Sequence, residues 1–169
     1  MPDIESKITI EPFRDHHWLS FWPIFSEIVA AQESYAYDDG LTQDEARRLW
    51  IEQPPGRTVV AIDSNGAVLG SAKMGPNRPG PGKHVATASF IVGSANRGGG
   101  IGRLLGEYAL DWARAEGFRS MQFNAVVETN VGAVELWQKL GFEIVGRVPE
   151  AFAHPRHGLV ALLIMHRYL

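Results

Sequence analysis

The residues whose types and order favour chemistry form one run, Arg97-Gly98-Gly99-Gly100-Ile101-Gly102, which follows the apolar segment Ser89–Val92. A helical pattern of apolar residues comes directly after it. Glycine lets the backbone approach an anion closely, and the first N–H groups of a helix have no partner in the helix and lie at the positive end of its dipole. This run therefore predicts a metal-free phosphate site. A plain flexible turn is the alternative, although such a turn does not need three consecutive glycines.

Two better-known glycine loops do not fit this run. A dinucleotide-binding loop needs glycines at positions one, three and six, but the sixth residue is Arg103 counted from Gly98 and Leu105 counted from Gly100. A nucleotide P-loop needs Gly-Lys-Ser or Gly-Lys-Thr, and the chain contains neither tripeptide. The remaining pattern is Arg-x-x-Gly-x-Gly.

A second motif stands downstream at a fixed distance: Asn130-x-x-Ala133-x-x-Leu136-Trp137-x-x-x-Gly141-Phe142. Together the two motifs resemble those of the GCN5-related N-acetyltransferase (GNAT) superfamily, and the order of elements matches across nearly the whole chain. The resemblance implies acetyl-CoA as cosubstrate, with its pyrophosphate on residues 98–103 and its pantetheine arm along a freed strand edge. The cofactor-binding residues that it implies are Ile91, Val92, Arg97, Gly98, Gly99, Gly100, Ile101, Gly102, Arg103, Asn130, Ala133 and Trp137.

The resemblance also implies direct acetyl transfer to nitrogen through a tetrahedral intermediate, with an acid that protonates the departing thiolate. The family usually supplies that acid from a tyrosine at the position of Trp137, and an indole N–H does not yield its proton at useful pH. We expect Tyr108 or solvent to replace it, and Trp137 either to line the cofactor cleft or to pack in the core. Candidates for the base that deprotonates the amine are Glu33, His84 and Glu128, each with an ordinary surface role as the alternative.

The acceptor is expected to be a small amine or amino acid. Asn124 is an amide within a strand that should be mostly buried, so it either links neighbouring strands or faces the substrate and acts in catalysis. The surrounding segment is similar to the yeast proline-analogue (azetidine-2-carboxylate) acetyltransferases and their bacterial relatives. That likeness implies that Asn77, Asn124 and Asn130 bind substrate and cofactor, and that Thr87 replaces a further asparagine. Tyr35 and Tyr37 are expected to close the pocket or to pack at its rim.

Two other functions stay open on the sequence alone. One is acetylation of a protein N-terminus or lysine, and the other is acyl-CoA binding on the same fold without turnover, which the tryptophan at the acid position favours.

Apolar periodicity and turn signals predict the elements that must position these residues. The fold class is α/β, implied by the resemblance to be a mixed, mostly antiparallel sheet with splayed central strands and about four helices. The predicted strands are 7–11, 58–62, 67–73, 85–92, 121–127, 142–148 and 159–165, and the predicted helices are 18–29, one after the capping box Thr42/Glu45, 101–115 and 130–140.

Composition narrows the class of protein. The 169 residues fit one domain, 1–169, and the net charge of −3 gives no electrostatic reason to expect nucleic acid or an anionic membrane as partner. With no cysteine, no membrane-length apolar run and no secretory leader pattern in residues 1–13, we expect a cytoplasmic location. No metal is expected, because nothing completes a ligand set around His154 and His157. A homodimer through residues 142–169 is expected from the family, with a simple buried strand as the alternative.

Overall fold

A computed structural model describes residues 7–169, and residues 1–6, on which part of the leader expectation falls, lie outside the described residues. Seven strands form one sheet: β1 Thr9–Pro12, β2 Arg57–Ile62, β3 Val68–Pro76, β4 Val85–Val92, β5 Ser120–Val127, β6 Glu143–His154 and β7 Gly158–Tyr168. Four α-helices accompany them in the described part of the chain: α1 Trp18–Ala31, α2 Gln43–Trp50, α3 Ile101–Ala115 and α4 Val131–Lys139. Short 3₁₀ turns span Asp15–His17, Gly80–Gly82 and Ser94–Asn96.

The strand order is β1-β2-β3-β4-β5-β7-β6, with β4 and β5 parallel and every other neighbouring pair antiparallel. This confirms the predicted α/β class, and no helix in the described residues is long and apolar enough to cross a bilayer.

A hydrophobic cluster covers each face of the sheet. Helices α3 and α4 pack on one face through residues such as Leu105, Ala109 and Trp137. Helices α1 and α2 pack on the other, where an aromatic cluster includes Phe21, Phe25 and Trp50. Along β4 the side chains alternate between these faces, so Phe90 belongs to the α3/α4 face and Ile91 to the α1/α2 face.

Local sequence signals set the helix ends as predicted. The Thr42 hydroxyl accepts the N–H of Glu45, whose carboxylate in turn accepts the N–H of Thr42, and this capping box starts α2. Gly117 and Gly141 follow α3 and α4 with positive φ angles of 84° and 88°, the left-handed conformation of a helix stop.

The strand ends were predicted less well. β3 extends to Pro76, into the Pro- and Gly-rich segment 75–82 that was predicted to be irregular. β6 runs on to His154 and β7 on to Tyr168, because the two pair along most of their length across a turn at residues 155–157. Pairing partners far away in sequence decide these ends, and local propensity does not.

Candidate functional site

The central feature of the site is a gap between two neighbouring strands. β4 and β5 pair at two positions, Val85 with Ser120 and Ala86 with Met121, and then diverge. Residues 87–92 of β4 and residues 122–127 of β5 therefore line a wedge, which we call the gap. It opens toward the carboxyl ends of both strands, where the glycine run begins.

The main chain of β4 presents alternate residues to the gap. The N–H of Gly93 donates to Leu69 of β3, and the N–H of Asn77 donates to Val85, so odd-numbered residues bond to β3. Even-numbered residues must then face the gap, since polar groups alternate along an antiparallel pair. Ala88, Phe90 and Val92 consequently offer their N–H and C=O groups there.

This register corrects one of the two edge residues. Ile91 was expected to pair with a pantetheine arm, but its main chain bonds to β3 and its side chain is buried against α1 and α2. Val92 does face the gap, and Phe90 takes the place of Ile91. A shift of one residue reverses the direction in which a strand residue points, so the sequence could find the strand but not its register.

The glycine run forms a cradle of free main-chain donors. Gly98 and Gly100 take φ angles of 79° and 80°, and a Cβ on either would meet no atom within 4 Å. The N–H of Leu104 donates to Gly100, as the first helical bond of α3. No acceptor among residues 7–169 takes the N–H groups of Gly98, Gly100, Ile101, Gly102 or Arg103. These donors, at the positive end of α3, suit a diphosphate.

Two arginines flank this cradle, and they differ in whether a carboxylate pairs with the guanidinium. The guanidinium of Arg97 is exposed and forms no ion pair within the described residues. Arg103, which was expected to add charge at the loop edge, donates to the Glu107 carboxylate at 2.9 Å, so its charge is partly neutralised. Gly102 lies where α4 approaches, since a Cβ there would be 3.3 Å from a methyl carbon of Leu136.

The second motif builds α4 and the floor of the gap on the α3/α4 face. Trp137 is only 7% exposed and packs against Phe90 and Phe123, with ring centroids 4.7 and 4.9 Å away. It therefore has the packing role rather than an open position in the cleft. Ala133 is half-buried in the same cluster, and the Asn130 carbonyl accepts the N–H groups of Ala133 and Val134 to begin the helix.

The two tyrosines of the α1–α2 loop are partly buried and pack against the aromatic cluster of the α1/α2 face. Tyr35 stacks on Tyr37 with centroids 5.5 Å apart, and meets Trp50 edge-on at 6.4 Å. Its hydroxyl accepts the N–H of Phe90 at 2.8 Å and donates to the carbonyl of the same residue. Burial raises the pKa of both phenols, so each stays protonated at neutral pH.

Three amide side chains form a hydrogen-bonded cluster, here called the polar wall, which joins Gln122 and Asn124 of β5 to Asn77, the residue after β3. Asn124 donates to the Asn77 side-chain oxygen at 2.6 Å and accepts from Gln122 at 2.9 Å. Asn77 and Asn124 were predicted site residues and are brought together, whereas Gln122 was not predicted. Thr87 makes no side-chain hydrogen bond within residues 7–169, and its main chain faces β3 opposite Gly75.

The expected burial of Asn124 is wrong. A bulge between Phe123 and Val126 leaves Asn124 and Ala125 exposed, because β7 offers one residue fewer across from them. The bulge turns the Asn124 amide into the gap instead of into a neighbouring strand.

The three carboxylate and imidazole base candidates have other partners or lie elsewhere. Glu33 forms an ion pair with Arg156 in the β6–β7 turn. Glu128 accepts two bonds from Arg147, at 2.7 and 3.0 Å, and these hydrogen bonds lower its pKa, which makes it a poor base. His84 lies before β4, at the closed end of the gap, where its carbonyl accepts from Arg119.

Tyr108 does not lie where a proton donor would be needed. Its hydroxyl is 3.2 Å from the Arg57 guanidinium at the start of β2. Gly106 lies against α4, where a Cβ would come within 3.0 Å of Trp137. Two further residues turn a helix by about 200°, so Tyr108 is directed away from α4 and from the gap.

The histidines of the 154–157 turn have a structural role. The buried His154 accepts the N–H groups of Arg156 and His157, at 3.1 and 3.3 Å. The sequence did not single out Glu11, His16 and His17, whose ligand-type atoms lie within 4.8 Å of one another in β1 and the turn after it. Both nitrogens of His17 are already engaged there, one by Glu11 and one by the N–H of Arg14.

The site thus combines an anion cradle, a strand edge whose even-numbered main-chain groups face the gap, with those of Phe90 held by the Tyr35 hydroxyl, and a polar wall. The cradle can hold a diphosphate, and the edge can pair with amides of an extended arm that reaches from the cradle into the gap. A main-chain N–H at the gap can stabilise an oxygen that gains negative charge. The residues present therefore fit an acyl-CoA thioester.

Comparison with known proteins agrees with this geometry. A family model described as the acetyltransferase (GNAT) family matches residues 18–142. The N-acetyltransferase aca1 of Schizosaccharomyces pombe is 35% identical over 133 residues, which are 70% of this chain and 64% of that protein. An L-methionine sulfoximine/L-methionine sulfone acetyltransferase of Pseudomonas aeruginosa is 37% identical over 93 residues, 54% of each chain. The chain thus spans somewhat over half the length of these relatives.

Solved structures extend the similarity to nearly the whole chain. A GCN5-related N-acetyltransferase from Kribbella flavida is 57% identical with a TM-score of 0.93, covering 96% of this chain and 98% of that one. A GNAT superfamily phosphinothricin acetyltransferase from Sinorhizobium meliloti, solved in complex with AcCoA, is 25% identical with a TM-score of 0.85, covering 96% and 88%.

Proposed function

The chain belongs to the GNAT acetyltransferase family, and from that premise we propose that it transfers the acetyl group of acetyl-CoA to the nitrogen of a small amine or amino acid. The observation that carries the proposal is the continuity of the gap with the cradle. The divergence of β4 from β5 leaves Ala88, Phe90 and Val92 without a partner on β5, and the glycine run with its free N–H groups follows the end of that edge.

The chain's own residues supply the binding of the donor. The cradle holds the diphosphate, the exposed Arg97 adds a positive charge, and the gap-facing main-chain groups of Val92 pair with an amide of the arm. The N–H of Phe90, which the Tyr35 hydroxyl accepts in the structure, is the group nearest to where the arm ends. The bound thioester then has its carbonyl close to a main-chain N–H. That N–H stabilises the negative charge which gathers on the carbonyl oxygen as the amine attacks.

The transfer forms one C–N bond and breaks one C–S bond. The nitrogen gives up a proton and the sulfur gains one, so the overall reaction needs no metal or redox partner. Because an alkylammonium has a pKa near 10, the amine must lose a proton before it attacks, to solvent or to a group in the cleft. The site provides orientation, which is the main requirement of such a reaction.

The polar wall supports a small acceptor. The amides of Asn77, Asn124 and Gln122 offer donors and acceptors to a polar molecule. Glu33, two residues before Tyr35, forms an ion pair with Arg156 and so offers both charges. An α-amino acid carries an ammonium and a carboxylate, which match that pair of charges. The likeness to the methionine sulfone acetyltransferase is consistent with this acceptor class.

The experiment is thiol release from acetyl-CoA with a panel of amines. We expect turnover with L-methionine sulfone, phosphinothricin or a related amino acid, and little with peptides that present an N-terminus or a lysine. Turnover confined to the peptides would replace the small acceptor by a protein. If calorimetry showed acetyl-CoA binding but no amine gave thiol release, the protein would bind acyl-CoA without turnover, and the proposed acetyl transfer would be wrong.

Substitution of the Asn124 amide tests whether the acceptor amine binds at the polar wall. Asn124→Ala should raise KM for the amine about fivefold, since a lost hydrogen bond is worth about 1 kcal/mol, with the Kd for acetyl-CoA unchanged. Asn65→Ala, in the exposed β2–β3 turn, is the matched control and should change neither constant.

We further propose that the protein pairs as a homodimer through β6. This strand is twelve residues long, pairs with β7 on one side only, and ends the sheet with its side chains mostly exposed. A second copy of the same strand offers the missing partner, since long unpaired edges are otherwise prone to uncontrolled association.

A further inference from the structure

We propose that the Tyr35 hydroxyl is the catalytic residue that protonates the departing thiolate, in place of the tyrosine that α4 lacks. This inference rests on the proposed acetyl transfer and assigns a group for its last proton. It gives Tyr35 a chemical role beyond the pocket closure that the sequence suggested.

The position of the hydroxyl carries the inference. Tyr35 reaches through the α1/α2 face to the gap-facing edge of β4, where its oxygen bonds both the N–H and the C=O of Phe90. The Phe90 ring, on the other face, lies against Trp137. The phenol thus arrives at the same level of β4 as the tryptophan that occupies the usual acid position, but from the opposite side of the sheet.

The other phenols are excluded by their places in the fold. The chain has four tyrosines. Tyr108 is held by Arg57 on the far side of α3, and Tyr168 is 81% exposed at the end of β7, opposite Ser120 at the closed end of the gap. Tyr37 stacks behind Tyr35, and its pKa is raised by burial and also by the charge of Glu52, which lies beyond α2. Tyr35 alone makes hydrogen bonds to the gap-facing edge.

Tyr35 is held in the donor form, and its ring is held in one position. Tyr37 and Trp50 pack against the ring, so the hydroxyl oxygen stays at the edge of β4 while its O–H can turn about the C–O bond. Burial favours the neutral phenol, so a proton is present at physiological pH. The same dry surroundings disfavour a free thiolate and raise its affinity for that proton.

The proton balance closes within the site. When the thioester oxygen takes the Phe90 N–H, the phenol gives up that bond and turns toward the sulfur. As the C–N bond forms and the C–S bond breaks, the sulfur takes the proton of the Tyr35 O–H. The phenolate then regains a proton from the nitrogen, which carries one in excess after its attack. Tyr35 ends as it began.

The test compares Tyr35→Phe with Tyr168→Phe, a control of the same chemical change at an exposed site outside the cleft. We expect Tyr35→Phe to lower kcat at least about 10²-fold, the usual contribution of a positioned acid, while the Kd for acetyl-CoA from calorimetry stays within about threefold. Tyr168→Phe should keep wild-type values. Melting temperatures show whether both variants fold.

Fluorotyrosines of graded acidity at position 35 separate proton transfer from mere support. They keep the ring and its hydrogen bonds, so a structural role predicts a constant kcat, whereas a proton donor predicts a kcat that changes steadily with the acidity of the phenol. In addition, the amide resonance of Phe90 should shift when acetyl-CoA displaces the hydroxyl, and this readout needs no turnover.

Three outcomes would overturn the inference. A Tyr35→Phe variant with kcat within about threefold of wild type removes the acid role, and one that folds but loses acetyl-CoA binding makes Tyr35 a binding residue. A kcat that is flat across the fluorotyrosines does the same. In each case wild-type turnover leaves the acetyltransferase proposal intact. Absence of thiol release by the wild type itself fails both proposals.

Discussion

At the scale of single residues, the backbone conformation of two glycines decides whether the anion cradle can form. Gly100 has φ 80° with open space around a Cβ, so Gly100→Ala introduces backbone strain rather than a clash. We expect a loss of about 1–2 kcal/mol in the free energy of unfolding, together with a clear rise in the Kd for acetyl-CoA. Denaturant titration and calorimetry measure the two quantities.

The matched control for this prediction is Gly66→Ala in the β2–β3 turn. Gly66 has φ 81° and equally open surroundings, so its substitution should lower the free energy of unfolding by a similar amount. Its Kd for acetyl-CoA should stay at the wild-type value. Equal loss of binding in both variants would mean that stability, and not the cradle, controls the affinity.

The buried His17 should make the free energy of unfolding depend on pH. It is 4% exposed, and burial lowers its pKa below the ordinary 6.5, so the folded state prefers the neutral imidazole that accepts the Arg14 N–H. The stability that it contributes is complete above pH about 6.5 and is lost as the pH falls through the lowered folded pKa.

Denaturant midpoints between pH 5 and 8 test this. The wild-type midpoint should fall on the acid side, and the fall should be smaller in His17→Gln. His84→Gln, which changes an exposed histidine at the closed end of the gap, should keep the wild-type slope. The assignment fails if His17→Gln shows the full wild-type dependence.

At the scale of elements, the contact of α3 with α4 supports the floor of the gap. A Cβ on Gly106 would lie 2.8 Å from Leu140 and 3.0 Å from Trp137, so Gly106→Ala must push the helices apart. We expect a loss of about 1–3 kcal/mol in the free energy of unfolding. Gly132→Ala, within α4 and with no atom within 4 Å, should be neutral or stabilise by up to about 1 kcal/mol. A melting temperature that rises in both variants would contradict the close packing.

The elements also show which parts of the structure the sequence could predict. Thr42 with Glu45, Gly117 and Gly141 acted through their immediate neighbours, so the helix ends that depend on them were predicted correctly. The bulge at Asn124 and the pairing direction of Phe90 depend on β7 and β3, which are distant in sequence, and both were missed. The glycine run was found because glycine spacing is itself a local signal, and the contact of Tyr35 with Phe90 was missed because the two residues are 55 positions apart.

At the scale of the whole molecule, the two ends of the sheet differ sharply. β1 is four residues long, whereas β6 is twelve and leaves Val145 59% exposed. If β6 is the dimer interface, Val145→Lys should convert the dimer to a monomer in sedimentation or light scattering. Leu19→Lys, which changes an exposed apolar residue on α1, should leave the dimer unchanged. A monomeric wild type would rule the interface out.

The overall fold class was predicted correctly from the sequence. Segments with the apolar spacing of strands alternate with segments that have the spacing of helices, and the observed sheet and helices follow the predicted order. The divergence of β4 from β5 was expected only through the family resemblance. The residues of the two strands do not indicate this divergence, because Val85–Val92 and Ser120–Val127 each have the sequence pattern of an ordinary strand.

The brief pairing of β4 with β5 has a mechanical consequence. Two residue pairs connect the half-sheet of β1–β4 to the half-sheet of β5–β7, and beyond them side-chain packing such as Phe90 against Phe123 holds the halves together. Such a junction resists shear poorly compared with a full ladder of main-chain bonds. We therefore expect the angle between the halves to yield more easily than a fully paired sheet would, and a molecule seated between them to stiffen it.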